Sequence, residues 1–213
     1  MRIIKTNYSY CKTIFIPIPK TGSSSIKNLL SRYNIDSLFH PDNHASMNMF
    51  IKRYGIEYIR SCHSFTIVRN PYARLVSAYH HFREKGIGQH PTHEPNIDIL
   101  ESTFYKFVSK QLKKSLEDSD SDIMLLNPQS DWAYSRKKKL VKRVFKFEDV
   151  FFQKTHKLYQ FLKIDNTSKL SHMNQTTHNV WKLYYNSSIQ DIVYKIYEKD
   201  FDLLQYSKKL IDL

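Results

Sequence analysis

Apolar positions along this chain fall into short continuous runs that alternate with amphipathic stretches. Ile14-Phe15-Ile16 stops at Pro17 and, past Ile18-Pro19, opens into the small, hydroxyl-rich turn Lys20-Thr21-Gly22-Ser23-Ser24-Ser25. A run of this kind bounded by turn residues predicts a buried strand, and the amphipathic residues 26–33 after it predict a helix. The order repeats at Phe65-Thr66-Ile67-Val68, a β-branched run followed by Asn70 as a helix cap and Pro71 in the first helical turn. Further helices are expected over 44–54, 98–116, 149–162 and 187–199, the last with a serine cap, and a further core strand over 144–147. Residues 83–96, 115–122 and 166–179 read as loops. Strands alternating with helices predict an α/β fold, with a central parallel sheet covered by helices on both faces.

Length supports one domain over 1–213: 213 residues with 41% hydrophobic content bury one core and are short for two. Thirty-three Lys and Arg against 20 Asp and Glu leave a formal charge of +13, which favours polyanionic partners. The densest basic stretch, residues 136–143, is expected on an exposed turn. Zinc-finger, RNP-type and helix-turn-helix signatures are lacking, so nucleic acid is disfavoured as the partner. No signal-peptide pattern and no long apolar span is present, so a soluble, cytoplasmic protein is expected. Cys11 and Cys62 form no C-x-x-C pair and are expected reduced, each just ahead of one of the two strands.

The turn after the first strand has the chemistry of an anion cradle. Gly22 lets backbone N–H groups approach an oxyanion, Thr21, Ser23, Ser24 and Ser25 bring hydroxyls, Lys20 brings a point charge, and the following helix presents its positive end. An ATP or GTP loop places its lysine directly after the second glycine, whereas Lys20 precedes the only nearby glycine by two residues. None of Gly22, Gly55, Gly86 and Gly88 is spaced for that loop or for G-x-G-x-x-G, so a nucleoside triphosphatase or dinucleotide enzyme is poorly supported. At the second strand end Arg69 offers a planar two-pronged donor and Ser77, two turns into the helix, a hydroxyl. Two anion sites on successive strand ends imply a ligand with two separated phosphates.

These residues carry a family resemblance. Pro19 to Ser25 resembles the 5′-phosphosulfate loop of sulfotransferases that use 3′-phosphoadenosine 5′-phosphosulfate (PAPS), and Arg69 with Ser77 resembles their 3′-phosphate site. Asn43-His44-Ala45-Ser46, Pro128-Gln129-Ser130-Asp131-Trp132, residues 144–150 and Tyr197-Glu198-Lys199-Asp200-Phe201 match in the same order, most similarly to the glycan branch and its bacterial relatives. The resemblance implies a P-loop nucleotide-kinase-like three-layer fold, PAPS as donor and adenosine 3′,5′-bisphosphate as product, no metal requirement, and an acidic or neutral glycan as acceptor. It also implies roles. Lys20 would neutralise the leaving phosphate, Lys20 to Ser25 with Arg69 and Ser77 would bind the nucleotide, and His44 would take the acceptor proton, with His40 and then Glu84 as alternatives. Two rival readings are a P-loop kinase, disfavoured by the position of Lys20, and a nucleotide-binding protein without catalysis. His80, His81, His90, His93 and Glu94 cluster in sequence, but His90 and His93 flank Pro91 in a loop without a thiolate, so they are expected at the acceptor cleft or surface rather than on a metal. Residues 172–178 form a polar loop that the resemblance places over the nucleotide and acceptor.

Overall fold

The computed structural model describes residues 12–85, 103–112, 116, 121–135, 137–153, 155–165, 170 and 180–210. Three strands, β1 (Thr13–Ile16), β2 (His63–Val68) and β5 (Arg143–Lys146), form a parallel sheet in the order β1-β2-β5. Register pairs Ile16 with Thr66 and Val68 with Lys146, so all three strands deliver their following loops to one edge. In β2 the residues from Ser64 to Val68 are all buried, as expected of a parallel strand covered on both faces. The polar members find partners there: Thr66 Oγ1 donates to the Ile16 carbonyl (2.8 Å) and Ser64 Oγ accepts from the Lys142 amide (3.0 Å).

Alternation along β1 sorts the two cores. Ile14 and Ile16 face a cluster with Met47 and Phe50 of α2 (Met47–Tyr54), Ile59 of α3 (Ile56–Ser61), and Trp132. Phe15 faces the other side with Phe65 and Ile67, against Ile26, Leu29 and Leu30 of α1 (Ser23–Arg32) and Leu158 and Tyr159 further on. The result is the three-layer α/β arrangement expected from the pattern. A third cluster joins α4 (Pro71–Lys85), α5 (Phe104–Lys106), which continues as a π-turn over Phe107–Gln111, and the C-terminal helix.

Several boundaries differ from the sequence-based expectation, each for a local reason. Helix α1 starts at Ser23 rather than Ile26, because Gly22 adopts the left-handed conformation (φ 80°) and ends the turn earlier. Helix α2 starts at Met47, not at His44, since Ser46 is extended and His44 is bonded elsewhere. Helix α4 runs to Lys85, into the segment expected as a loop. The basic stretch holds a two-stranded hairpin after α6 (Ser130–Ala133): β3 (Tyr134–Ser135) pairs antiparallel with β4 (Lys138–Lys139). The helix expected over 149–162 divides into a π-turn at Asp149–Gln153 and α7 (Thr155–Leu162), with Thr155 Oγ1 donating to the Val150 carbonyl across five residues. The last helix, α8 (Ser187–Leu204), is capped by Asn186 rather than a serine, whose side chain accepts from the Ile189 amide (2.9 Å). Cys62 is buried and donates to the Tyr58 carbonyl; Cys11, His90, His93, Glu94 and residues 172–178 lie outside the described residues.

Candidate active site

The turn between β1 and α1 is held by its carbonyls. Pro17 O lies 3.0 Å from His44 Nδ1, and Ile18 O accepts the hydroxyls of Thr21 (2.9 Å) and Ser23 (2.7 Å). Pro19 O accepts from Arg74 Nε (3.0 Å), and Lys20 O from Arg69 Nη1 (3.3 Å). Four consecutive carbonyls, of Pro17 to Lys20, are thus bonded to side-chain donors. Lys20 itself sits at φ 65°, in the left-handed region that reverses the chain. Helix α1 opens with the bond from the Ile26 amide to the Gly22 carbonyl, and Gly22 provides no side-chain cap, so the helix N-terminus faces this turn. Thr21 and Ser23 therefore spend their hydroxyl protons inside the loop, so their contribution to an anion site is through backbone amides.

Gly22 packs where no side chain fits. A Cβ there would lie 2.5 and 2.7 Å from Phe151 and 3.3 Å from Phe147. The Phe147 and Phe151 rings are themselves 4.5 Å apart, and the Arg69 guanidinium sits 4.5 Å over Phe147. Phe147 is thus the wall shared by the two candidate anion sites.

Arg69 is the first residue beyond β2, and the backbone around it is gripped from three directions. Gln129 Oε1 accepts the Arg69 amide (2.8 Å) and Gln129 Nε2 donates to the Arg69 carbonyl (2.8 Å). Glu148 Oε1 accepts the Asn70 amide (2.8 Å), while Tyr206 donates its hydroxyl to Glu148 Oε2 (2.8 Å) with the Val68 carbonyl 3.3 Å away. Burial lowers the Arg69 guanidinium to about 10, with Glu148 pulling it back up, so it remains a cation at neutral pH. Asn70 caps α4 as expected, accepting from the Tyr72 amide at 2.9 Å.

One turn into α4, Arg74 is 3% exposed and spends its donors on the carbonyls of Pro19, Asn127 (3.0 Å) and Leu125 (2.9 Å). Ser77 follows by three residues and so shares the helix face that reaches the turn; it too is buried.

His44 meets the turn at Pro17, three residues ahead of the Lys20 carbonyl that Arg69 reaches. Its carbonyl accepts Trp132 Nε1 (2.9 Å), fixing the backbone, and burial lowers the imidazole below its usual value, with Lys27 and Arg74 adding to the effect and the Pro17 bond opposing it. A neutral ring that donates Nδ1–H to Pro17 keeps its lone pair on Nε2. His40 Nδ1 instead accepts the Asp42 amide (3.1 Å) and lies 3.4 Å from the Asp42 carboxylate. A cavity of about 230 Å³ opens beside Pro17 and Asn43, walled by Phe15, Phe39 and Phe50 and edged by Lys27, His40 and Asp42. His80, expected at a cleft or surface, bonds the Tyr184 hydroxyl (2.8 Å) within an aromatic cluster.

The structure therefore joins Lys20 to Ser25, Arg69 and His44 through bonds to one turn. Sequence reading gave no role to Arg74, Gln129, Glu148, Trp132 or Asp200, although all but Arg74 lie in segments noted as family matches.

A parallel sheet whose first strand ends in a turn at a helix N-terminus, with an arginine at the next strand end, defines a phosphate-binding α/β protein of the P-loop-like class. A model of the sulfotransferase family matches residues 5–207, nearly the whole chain, and the chain belongs to that family. It is accordingly an enzyme that uses PAPS as its sulfuryl donor. No curated protein gives a match. Among the described residues no helix is long and apolar enough to cross a membrane.

Proposed function

We propose that this sulfotransferase sulfates a carbohydrate hydroxyl, with His44 as general base and Lys20 as the cation at the leaving phosphate. The amides of Thr21 to Ser25 hold the 5′-phosphosulfate, and Arg69 with Ser77 holds the 3′-phosphate. In the transfer, the acceptor oxygen attacks sulfur as the bond from sulfur to the bridging phosphate oxygen breaks. The acceptor proton passes to His44 Nε2, and the negative charge that develops on the departing bisphosphate is met by Lys20 and the loop amides.

The observation that carries this reading is the 3.0 Å contact between His44 Nδ1 and Pro17 O. It ties the ring to the turn that carries Lys20 and selects the tautomer with a vacant Nε2. It also favours His44 over His40, whose Nδ1 is already an acceptor. A positioned base of this kind contributes roughly 10² to 10⁴ in rate.

Support for a sugar acceptor comes from the glycan-branch resemblance, and the cavity beside Asn43, the residue before His44, combines aromatic walls with a polar edge that includes His40. Lys27 at that edge, with the chain's charge of +13, suits an acceptor bearing acidic groups. The test is transfer of labelled sulfate from PAPS to a panel of acidic glycans, neutral glycans, phenols and tyrosine peptides. Label entering glycans is the expected result; label entering only phenols or peptides would overturn the carbohydrate assignment.

A further inference from the structure

Gln129 sits just ahead of α6 and is fully buried, yet its side-chain amide is not spent on capping that helix. Instead the amide pairs with the backbone of Arg69 in both directions, at 2.8 Å each way, as a neighbouring strand would. This happens one residue beyond Val68, where the pairing of β2 with β5 ends. A buried N–H and C=O released from a sheet must find partners or incur the full cost of desolvation. Gln129 supplies both from a single planar group.

Gln129 is itself anchored from the C-terminal helix. Asp200, fully buried on α8, accepts the Gln129 backbone amide with Oδ2 (2.7 Å) and the Ser130 amide with Oδ1 (2.8 Å). Gln129 Nε2 lies 3.5 Å from the same Oδ2, which favours the rotamer that points Nε2 toward both acceptors. A chain of contacts thus runs from α8 through Asp200 and Gln129 to Arg69.

We propose that Gln129 is a positioning residue for nucleotide selectivity: by fixing the backbone of Arg69 it aims the guanidinium, and so sets how strongly the enzyme distinguishes a nucleotide with a 3′-phosphate from one without. This rests on the reading of Arg69 as the 3′-phosphate anchor. Arginine's advantage over lysine is a rigid fork that must meet two oxygens at once, so its benefit depends on direction as well as on charge. The guanidinium leans on Phe147 and reaches Lys20 O, but neither contact fixes the peptide from which the side chain departs. The Gln129 pair does. Glutamate at 129 keeps the shape and the acceptor for the Arg69 amide, loses the donor to the Arg69 carbonyl, and faces Asp200 with like charge. Leucine loses both bonds.

The test compares dissociation constants for adenosine 3′,5′-bisphosphate and adenosine 5′-phosphate in the wild type, Gln129→Glu, Gln129→Leu and Arg69→Ala, with thermal melts as a check of folding. The readout is the ratio of the two constants, which a general loss of stability does not move. The ratio is expected to collapse toward one in Arg69→Ala and to fall about tenfold in both Gln129 variants, with adenosine 5′-phosphate affinity retained. Folded Gln129 variants that keep the wild-type ratio, while Arg69→Ala loses it, would overturn the inference. A wild-type ratio retained in Arg69→Ala would instead overturn the Arg69 reading beneath it. Should Gln129→Leu fail to fold, the near-isosteric Gln129→Glu decides by the same ratio.

Discussion

Replacing Gly22 by alanine tests the turn at its tightest point. Two penalties act together. The residue sits at φ 80° and ψ 24°, where an L side chain costs about 1–2 kcal/mol. The new methyl would lie 2.5 Å from the Phe151 ring, which cannot swing freely because Phe147 is packed 4.5 Å from it. Relief of such overpacking costs a further 1–3 kcal/mol, roughly. Reduced freedom of the unfolded chain returns about 0.4–1 kcal/mol, leaving a net loss of about 1–5 kcal/mol. For a chain of this size each kcal/mol lowers Tm by ~2–4 °C. Urea unfolding of Gly22→Ala, Phe151→Leu and the double variant separates the two penalties. In the double variant the steric part disappears and the φ part remains, so Gly22→Ala should cost at least about 1 kcal/mol less in the Phe151→Leu background than in the wild type. Gly22→Ala with wild-type stability, or strict additivity with Phe151→Leu, would refute the close approach of the ring to this turn.

Three further outcomes are expected. Because burial, Lys27 and Arg74 hold His44 below its usual value of 6.5, and the reaction needs the neutral ring, the acid limb of kcat/KM against pH should fall below 6.5. Lys27→Ala should move that limb upward, and a limb that stays fixed would deny the coupling. Lys20→Ala should lower kcat by a factor corresponding to about 3–4 kcal/mol, whereas a rise in KM alone would make Lys20 a binding group only. Asp200→Asn sets an amide donor against one of the two backbone amides that the carboxylate accepts, and should cost about 1–3 kcal/mol by urea unfolding at neutral pH; an unchanged midpoint would remove Asp200 from the chain of contacts that reaches Arg69.

The layers of this fold were legible because their signals are local. Runs of apolar residues at 14–16 and 65–68 mark strands that are buried on both faces, and Asn70-Pro71 marks the start of α4 by chemistry confined to three residues. The turn at 20–25 was legible as the link from strand to helix from its residue types, but its internal wiring was not. Thr21 and Ser23 donate to Ile18 because the chain reverses at Lys20, and no pattern in the sequence states that geometry. His44 reads as helical from its amphipathic surroundings; contacts to Pro17 and Trp132, distant along the chain, draw it out of the helix. The grip on Arg69 and Asn70 was hidden for the same reason. Gln129 and Glu148 reach them across sequence separations of 60 and 78 residues, and Asp200 reaches Gln129 across 71. Only the closed sheet brings them together.

His44 Nε2 is the proposed acceptor of the substrate proton, and single-turnover transfer from PAPS by His44→Ala tests that most directly. The prediction is a transfer rate about 10² to 10⁴ lower than wild type, with bisphosphate affinity unchanged. A transfer rate within a few-fold of wild type, with bisphosphate still bound, would contradict it and place the base elsewhere.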